Sequence, residues 1–270
     1  MQAMFTIIVT VFNKDKTLKM CLDSILNSSF KDFEILIIND GSTDNSQKII
    51  EQYSKKWKKT IVHNQLNRGV GFTKKLGIQL ATGKYIIFVD ADDTINSNLL
   101  FMLNKQIKKY KPDIVKFNIN EINSSKNKNR YITREKFFEN GKEALFEWSN
   151  VNIRYGLFQM YCIKNSLLKN SLPCFLELNY YEDVANIPKI IYFANKIIAL
   201  DYIGYNYYRS TTKLTKNQKI MKRTNFKLAY DELINFFEKE LSNENELFLV
   251  IKEYYYYHYK RKMNEFETND

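Results

Sequence analysis

Two histidines and three cysteines in 270 residues leave imidazole and thiolate chemistry poorly supplied. Cys21, Cys162 and Cys174 lie far apart, without Cys-x-x-Cys spacing. An odd, sparse set argues against a disulfide framework or a zinc site and fits a reducing cytosol. Histidine-led catalysis or metal binding has equally little to draw on. No uncharged stretch approaches the roughly 20 residues of a bilayer span. Met4–Val11 is apolar, but it is too short for a signal peptide and runs directly into a core-strand pattern. Acidic residues are outnumbered: 41 basic minus 30 acidic leaves +11. That excess favours anionic partners such as nucleotide phosphates, lipid head groups or nucleic acid, without choosing among them.

What is present reads as a globular chain, because 44% hydrophobic and 26% charged residues exclude disorder as the default. The length suits one large domain, or one with a smaller appendage. The first half alternates apolar runs with helical spacing. Strands are predicted at Phe5–Val11, Phe33–Ile38, near Thr60–His63, at Tyr85–Val89 and at Asp113–Asn120. Helices are predicted around Leu18–Leu26, over Phe72–Ala81 and from Leu99 to Ile107. Continuous apolar strands separated by helices imply a largely parallel sheet covered on both faces. Ligands bind such sheets beyond the carboxyl ends of the strands, where Asp40 and Asp90-Ala91-Asp92-Asp93 fall. Asn123–Arg130 is polar and reads as a loop, Glu182–Ala194 as a helix despite Pro188, and Ile197–Tyr208 as extended. From about Asn217 onward two or more helices are expected.

Three constellations carry candidate chemistry. Asp90, Asp92 and Asp93 leave a buried strand together, and hard cations favour such oxygen ligands while bridging to substrate phosphates. The same residues also suit a polar turn, with Asp93-Thr94 capping the next helix. In Asn39-Asp40-Gly41-Ser42-Thr43-Asp44, Asp40 could accept hydrogen bonds from a base or sugar. A plain turn in which Ser42 or Thr43 caps the next helix explains that segment, taken by itself, more simply. Glu182-Asp183 offers a carboxylate to take the proton of an attacking hydroxyl, or merely an acidic start to a helix.

At these places the chain strongly resembles family 2 glycosyltransferases, inverting enzymes with the GT-A fold. Thr6–Asn13 resembles their opening strand and nucleotide-contacting turn. Asn39–Asp44 matches their DGSxD segment, Asn67-Arg68-Gly69 and Ala81–Asp93 match the run ending in DxDD, and Glu182-Asp183 matches a later acidic pair. The resemblance is dense over residues 5–120 and thin but ordered through Arg209. It implies a Rossmann-like α/β fold with a mostly parallel central sheet flanked by helices. It also implies roles: Thr10, Phe12, Asn13, Asp40, Asp90 and Ala91 for the nucleotide sugar, with Asp40 at the base. Asp92, with Asp90, would bind Mn2+ or Mg2+. Asp183 would be the general base, and Glu182 would orient the acceptor. Many members carry Arg-Asn where this chain has Lys75-Leu76, so Lys75 would offer phosphate a point charge without the planar fork of Arg. Thr10 stands where Pro is frequent. Tyr207-Tyr208-Arg209-Ser210 resembles a late Tyr-Arg element, and Arg209 would close over the diphosphate or simply sit at the surface.

The expected organisation is a catalytic domain over residues 1–212, with a nucleotide-sugar half (1–120) and an acceptor half (121–212). A basic, aromatic helical extension would cover 213–270. Lys213, Lys216, Lys219, Lys222, Arg223 and Lys227 run without an acidic residue among them. With Leu214, Ile220, Met221 and Phe226 they would lie on anionic lipid or pack on the domain. Tyr254–Tyr257, Tyr259 and Phe266 would pack, form a homodimer or touch membrane. The expected activity is sugar transfer from a UDP-sugar to a glycan or lipid-linked acceptor in a bacterial surface polysaccharide. The expected location is cytoplasmic, or peripheral on the inner membrane. A nucleotidyltransferase would want a Gly-rich basic loop where Asn13-Lys14-Asp15-Lys16 stands. A nucleic-acid-binding protein gives no reason for carboxylates at a sheet edge, and no nucleic-acid partner is expected.

Overall fold

Uninterrupted apolar runs decide the centre of the molecule. β1 (Phe5–Val11) and β2 (Phe33–Asp40) are buried almost throughout, as strands covered on both faces must be. They pair in parallel with each other, with β3 (Thr60–Gln65) outside β2 and with β4 (Tyr85–Asp90) beyond β1. The crossovers are α1 (Leu18–Leu26), α2 (Ser46–Lys56) and α3 (Val70–Leu80). Gly77 lets α3 sit close to the sheet, since a Cβ there would meet Ile8 Cγ2 at 2.9 Å. The computed structural model describes residues 2–122, 128–130, 133–153, 156–209, 215–241 and 245–268.

Beyond β4 the sheet becomes mixed. After β5 (Thr94–Ile95) and α4 (Leu99–Tyr110) come β6 (Ile114–Ile122) and two short strands, β7 (Lys128–Arg130) and β8 (Lys136–Phe138). α5 (Gly141–Asn150) then leads to β9 (Tyr161–Lys164), which enters antiparallel between β4 and β6. α6 (Asn165–Asn170) and α7 (Glu182–Tyr192) precede β10 (Ile197–Tyr208), parallel to β6 and antiparallel to β5 and β8. Among the described residues the sheet order is β3-β2-β1-β4-β9-β6-β10-β5. Parallel pairing therefore holds for the first four strands and gives way where β9 is inserted. Lys128–Arg130 is a strand rather than part of a loop. An edge partner needs only backbone pairing, here Ile119 with Arg130 and Glu121 with Lys128, so polar residues serve. Asn123–Asn127 lie outside the described residues, as do Ser210, Lys213, Leu214 and the expected boundary between 212 and 213.

Two antiparallel helices close the chain, α8 (Lys216–Glu240) and α9 (Glu246–Glu267). α8 starts at a capping box: Thr215 Oγ1 accepts from Gln218 N, and Gln218 Oε1 accepts from Thr215 N. Leu233, Phe237, Phe248 and Ile251 join the same apolar core as the sheet. α8 packs on α7, and α9 packs on α5. The aromatic run divides: Tyr255 is buried, while Tyr256 and Tyr257 face outward. Among the described residues no helix is long and apolar enough to cross a membrane.

Candidate active site

The carboxyl ends of β1, β2 and β4 open into one cleft of about 740 Å3. Thr10, Phe12, Asp40, Asp90, Ala91 and Asp92 line it from the parallel half of the sheet. Glu182 and Asp183 line it from the start of α7, across the cleft. Residues about 170 positions apart thus meet in one space, as expected.

Asp40 is buried and already engaged. Its Oδ1 accepts from Gln65 Nε2 (2.7 Å) and Arg68 N (2.8 Å), and Oδ2 accepts from Gly69 N (3.0 Å). A carboxylate offers about four acceptor positions, so three fix the 65–69 loop and one remains for a ligand N–H. Gly41 follows at φ 75, and a Cβ there would come within 2.7 Å of Asn67 N. Only glycine suits that turn.

Ser42 and Thr43 do not cap the next helix. Ser42 Oγ accepts from Asn13 N (3.0 Å), Thr43 N donates to Asn13 Oδ1 (2.8 Å) and Asp44 Oδ2 accepts from Asp15 N (2.9 Å). These bonds lace the loop after β2 to the loop after β1. Asp44 Oδ1, not Ser42 or Thr43, accepts from Ser46 N at the start of α2. Asn13 is occupied by this lacing at φ 51 and does not line the cleft.

The acidic cluster splits into three environments. Asp90 accepts from Gln159 Nε2 at 2.6 Å, and burial raises its carboxyl above the usual range although Lys74 pulls the other way. Asp92 is ion-paired with Lys14 at the cleft mouth. Asp93 turns inward and caps no helix, since α4 starts much later, after Asn98. It accepts from the Tyr205 hydroxyl (2.7 Å) and Tyr208 N (2.8 Å), tying the acidic loop to β10. Tyr205 also accepts from Asp90 N at 3.1 Å. Register shifts between Ala199 and Tyr205 mark the irregular stretch of β10 that leads up to this residue. Burial, then Asp90, pushes the Asp93 carboxyl up to about 8. Asp93→Ala strands the buried Tyr205 hydroxyl and the half-buried Tyr208 N–H and is expected to cost about 1–3 kcal/mol in urea unfolding, more than Asp93→Asn.

Across the cleft, a buried lysine organises the other carboxylates. Lys74 Nζ donates to Glu182 Oε1 at 2.5 Å, and both side chains are almost fully enclosed. Burial opposes its charge, but Glu182, Asp90 and Asp183 together hold it protonated, well above the ordinary lysine value. Asp183 Oδ1 accepts from Val184 N at 2.8 Å. Burial and then the Glu182 charge push the Asp183 carboxyl up to about 8. Tyr181, just before the pair, has φ 62, a costly conformation for a bulky residue. Its ring sits edge-on to Phe226 of α8, centroids 4.8 Å apart. The C-terminal helices therefore help hold the turn that presents Glu182 and Asp183.

Lys75 and Arg209 fall elsewhere. Lys75 pairs with Glu177 (2.8 Å) outside the cleft, and its neighbour Lys74 takes the inward position. Arg209 lies 3.6 Å from Glu121 and lines an adjoining cavity. Gln159, Tyr205 and Lys74 were not singled out from sequence. For Lys74 a signal existed: Gly71, Lys74 and Ile78 share one helical face, which is the buried one.

The carboxylates fit a cation shared with substrate rather than an all-protein cage. Among the described residues no three His, Cys, Asp or Glu side chains converge with metal-holding geometry. Magnesium-type ions are commonly held by one or two carboxylates plus substrate phosphates. Asp92 already draws an ammonium, so its place favours positive charge.

Residues 6–168 match the family described as Glycosyl transferase family 2. The chain belongs to that family. Among its relatives, glycosyltransferase GlyG of Streptococcus pneumoniae is 27% identical over 253 residues, which is 90% of this chain and 81% of GlyG. Glycosyltransferase GlyA of the same species is 37% identical over 120 residues, 44% of this chain but only 17% of GlyA. The chain thus spans most of one relative and a small part of the other. Among solved structures, S. aureus TarS 1-349 in complex with UDP-GlcNAc superposes with a TM-score of 0.69 at 22% identity, covering 87% of this chain and 67% of that one. That likeness shows the family's GT-A fold.

Proposed function

We propose that this family 2 protein is an inverting transferase that moves a sugar from a UDP-sugar to a hydroxyl of a glycan or lipid-linked acceptor in bacterial surface-polysaccharide synthesis. The observation that carries the reading is the convergence of Asp40, Asp92 and Asp183 on one cleft. Its volume falls in the range of ordinary ligand sites. The UDP-GlcNAc complex of TarS and the glycosyltransferase names of GlyG and GlyA support the donor class.

In this reading the remaining acceptor position of Asp40 receives a base N–H, and the loop at Phe12 closes one side. The acceptor hydroxyl gives its proton to the Asp183 carboxylate while its oxygen bonds to the anomeric carbon. The bond from that carbon to the diphosphate breaks, and its electron pair leaves with the diphosphate. Attack from the opposite side inverts the centre. Asp92, with Asp90, would hold Mn2+ or Mg2+, which supplies charge neutralisation for the departing diphosphate. Lys74 holds Glu182 in place beside the base. Exposed Ile220, with Lys216 and Lys219 on α8, supports contact with an anionic membrane surface.

A donor screen tests this. Purified protein with Mn2+ is expected to release UDP from at least one UDP-sugar, and to release little GDP or dTDP from GDP- and dTDP-sugars. Release from none of a broad set of nucleotide sugars, with a mixed bacterial glycan extract as acceptor, would contradict it.

A further inference from the structure

A second cavity, of about 430 Å3, adjoins the first and shares Leu157, Tyr181 and Asp183 with it. The carboxylate read above as the base therefore lies on the boundary between two spaces. The second space is built largely by the C-terminal helices. Phe226 and Tyr230 come from α8, and Tyr254 and Tyr255 from α9. Arg209 enters at the end of β10, and Arg261 and Lys262 enter from α9.

The charge of this cavity is unlike that of the donor cleft. Three cations line it against the carboxylates of Asp183 and Glu265. Glu265 serves both Lys262 (2.6 Å) and Arg261 (3.8 Å), and Arg209 lies 3.6 Å from Glu121. A fourth cation, Lys222, sits over the Tyr181 ring, 5.8 Å from its centroid. Burial depresses the Lys222 ammonium, and the like charges of Lys262 and Arg209 depress it further. Like charges gathered beside a pocket cost free energy that a bound anion returns. Guanidinium forks and ammonium groups suit phosphate oxygens, and aromatic rings offer apolar faces to the carbon skeleton of a sugar or polyol.

We propose that this second cavity is the acceptor site and that it takes a phosphate-bearing acceptor, with the phosphate on Arg209, Arg261 and Lys262, Lys222 adding charge from beside the cavity, and a hydroxyl directed at Asp183. This rests on the transferase reading above. The proton and electron bookkeeping is unchanged: the phosphate is bound and not transferred. The phosphate could belong to a polyol phosphate or to the diphosphate of an isoprenoid-linked saccharide.

Calorimetric titration of the full chain separates the outcomes. UDP with Mn2+ is added first to saturate the donor cleft, followed by sn-glycerol 3-phosphate, geranyl diphosphate or, as the neutral control, glycerol. Binding of either phosphate probe at least about tenfold tighter than glycerol is expected, with loss of about tenfold in Arg261→Gln/Lys262→Gln. Lys222→Gln is a second, independent variant with the same expected direction. The probe that binds better names the source of the phosphate. UDP affinity should stay within about twofold in these variants, because none of the three residues lines the floor of the donor cleft. UDP binding with no phosphate-probe binding, or with probe binding indifferent to both variants, overturns this proposal alone. Failure of UDP itself to bind overturns the donor reading, and this proposal with it.

Discussion

Asp183→Asn is expected to lower the transfer rate by about 10²–10⁴-fold, the usual contribution of a positioned general base, while leaving UDP affinity nearly unchanged. Asp183 stands on the boundary between two cavities, at the amino end of α7, with one oxygen held by Val184 N. An asparagine keeps that hydrogen bond and the shape of the site but cannot take a proton. The pH dependence follows from the carboxyl being pushed up to about 8 by burial and by Glu182. The working form is the ionised one, so the wild-type kcat/KM should rise as pH climbs toward 8 and level off above it. Below that point the rise approaches about tenfold per pH unit. The measurement is UDP release across pH 5.5–9.5 for both proteins. An Asp183→Asn enzyme with near-normal turnover would remove Asp183 from the mechanism.

Lys74→Met has the largest expected effect on stability. Lys74 and Glu182 form a buried pair with Asp90 and Asp183 as neighbouring charges. Removing the cation leaves up to three carboxylates facing one another without compensation, and breaking one partner of a buried pair costs about 3–5 kcal/mol. Urea denaturation should show that loss. Lys74→Met/Glu182→Gln should recover part of it, because the Glu182 charge is gone while Asp90 and Asp183 remain. Activity should not recover with it. Without Lys74 the Asp183 carboxyl is pushed further up, so any residual rate should need higher pH than wild type. A Lys74→Met protein as stable as wild type would mean that the pair contributes little to the fold.

These expectations depend on residues of unequal legibility. Strands β1, β2 and β4 were readable because burial on both faces demands unbroken apolar runs, and Asp40 and Asp90 end such runs. β7, β8 and β9 were not. They are short, and β7 is polar, so backbone pairing rather than side-chain pattern makes them strands. In the site, Asp40, Asp92 and Asp183 meet in one cleft, as their order along the chain led one to expect. The cap that the sequence allows at Asp93 does not form, because a turn-forming aspartate looks the same in sequence whether its side chain faces solvent or a tyrosine 112 residues away. Motif position alone points to Lys75. The buried helical face of Gly71, Lys74 and Ile78 points to the other lysine. Gln159 had no readable signal, since its role depends on how a short turn before β9 meets the end of β4.

The thin resemblance after residue 120 has a physical counterpart. In the proposed reading the first four strands hold the nucleotide side, and β1, β2 and β4 are buried almost throughout, which confines them to apolar residues. The proposed acceptor side is built from loops, α7 and the C-terminal helix pair, where side chains facing a cavity vary with what they bind. Pocket chemistry there comes from residues spread between Leu157 and Glu265, and no local motif announces it.

The most direct test of the central claim is UDP binding, followed by thermal shift with and without Mn2+ in wild type, Asp40→Ala and Asp92→Ala. Wild type should be stabilised by UDP, and more so with Mn2+, by RT ln(1 + [UDP]/Kd). Asp40→Ala should weaken UDP stabilisation with or without metal, and Asp92→Ala should abolish the metal-dependent part. Equal UDP stabilisation in all three proteins, or none in folded wild type, would contradict a nucleotide site between Asp40 and Asp92.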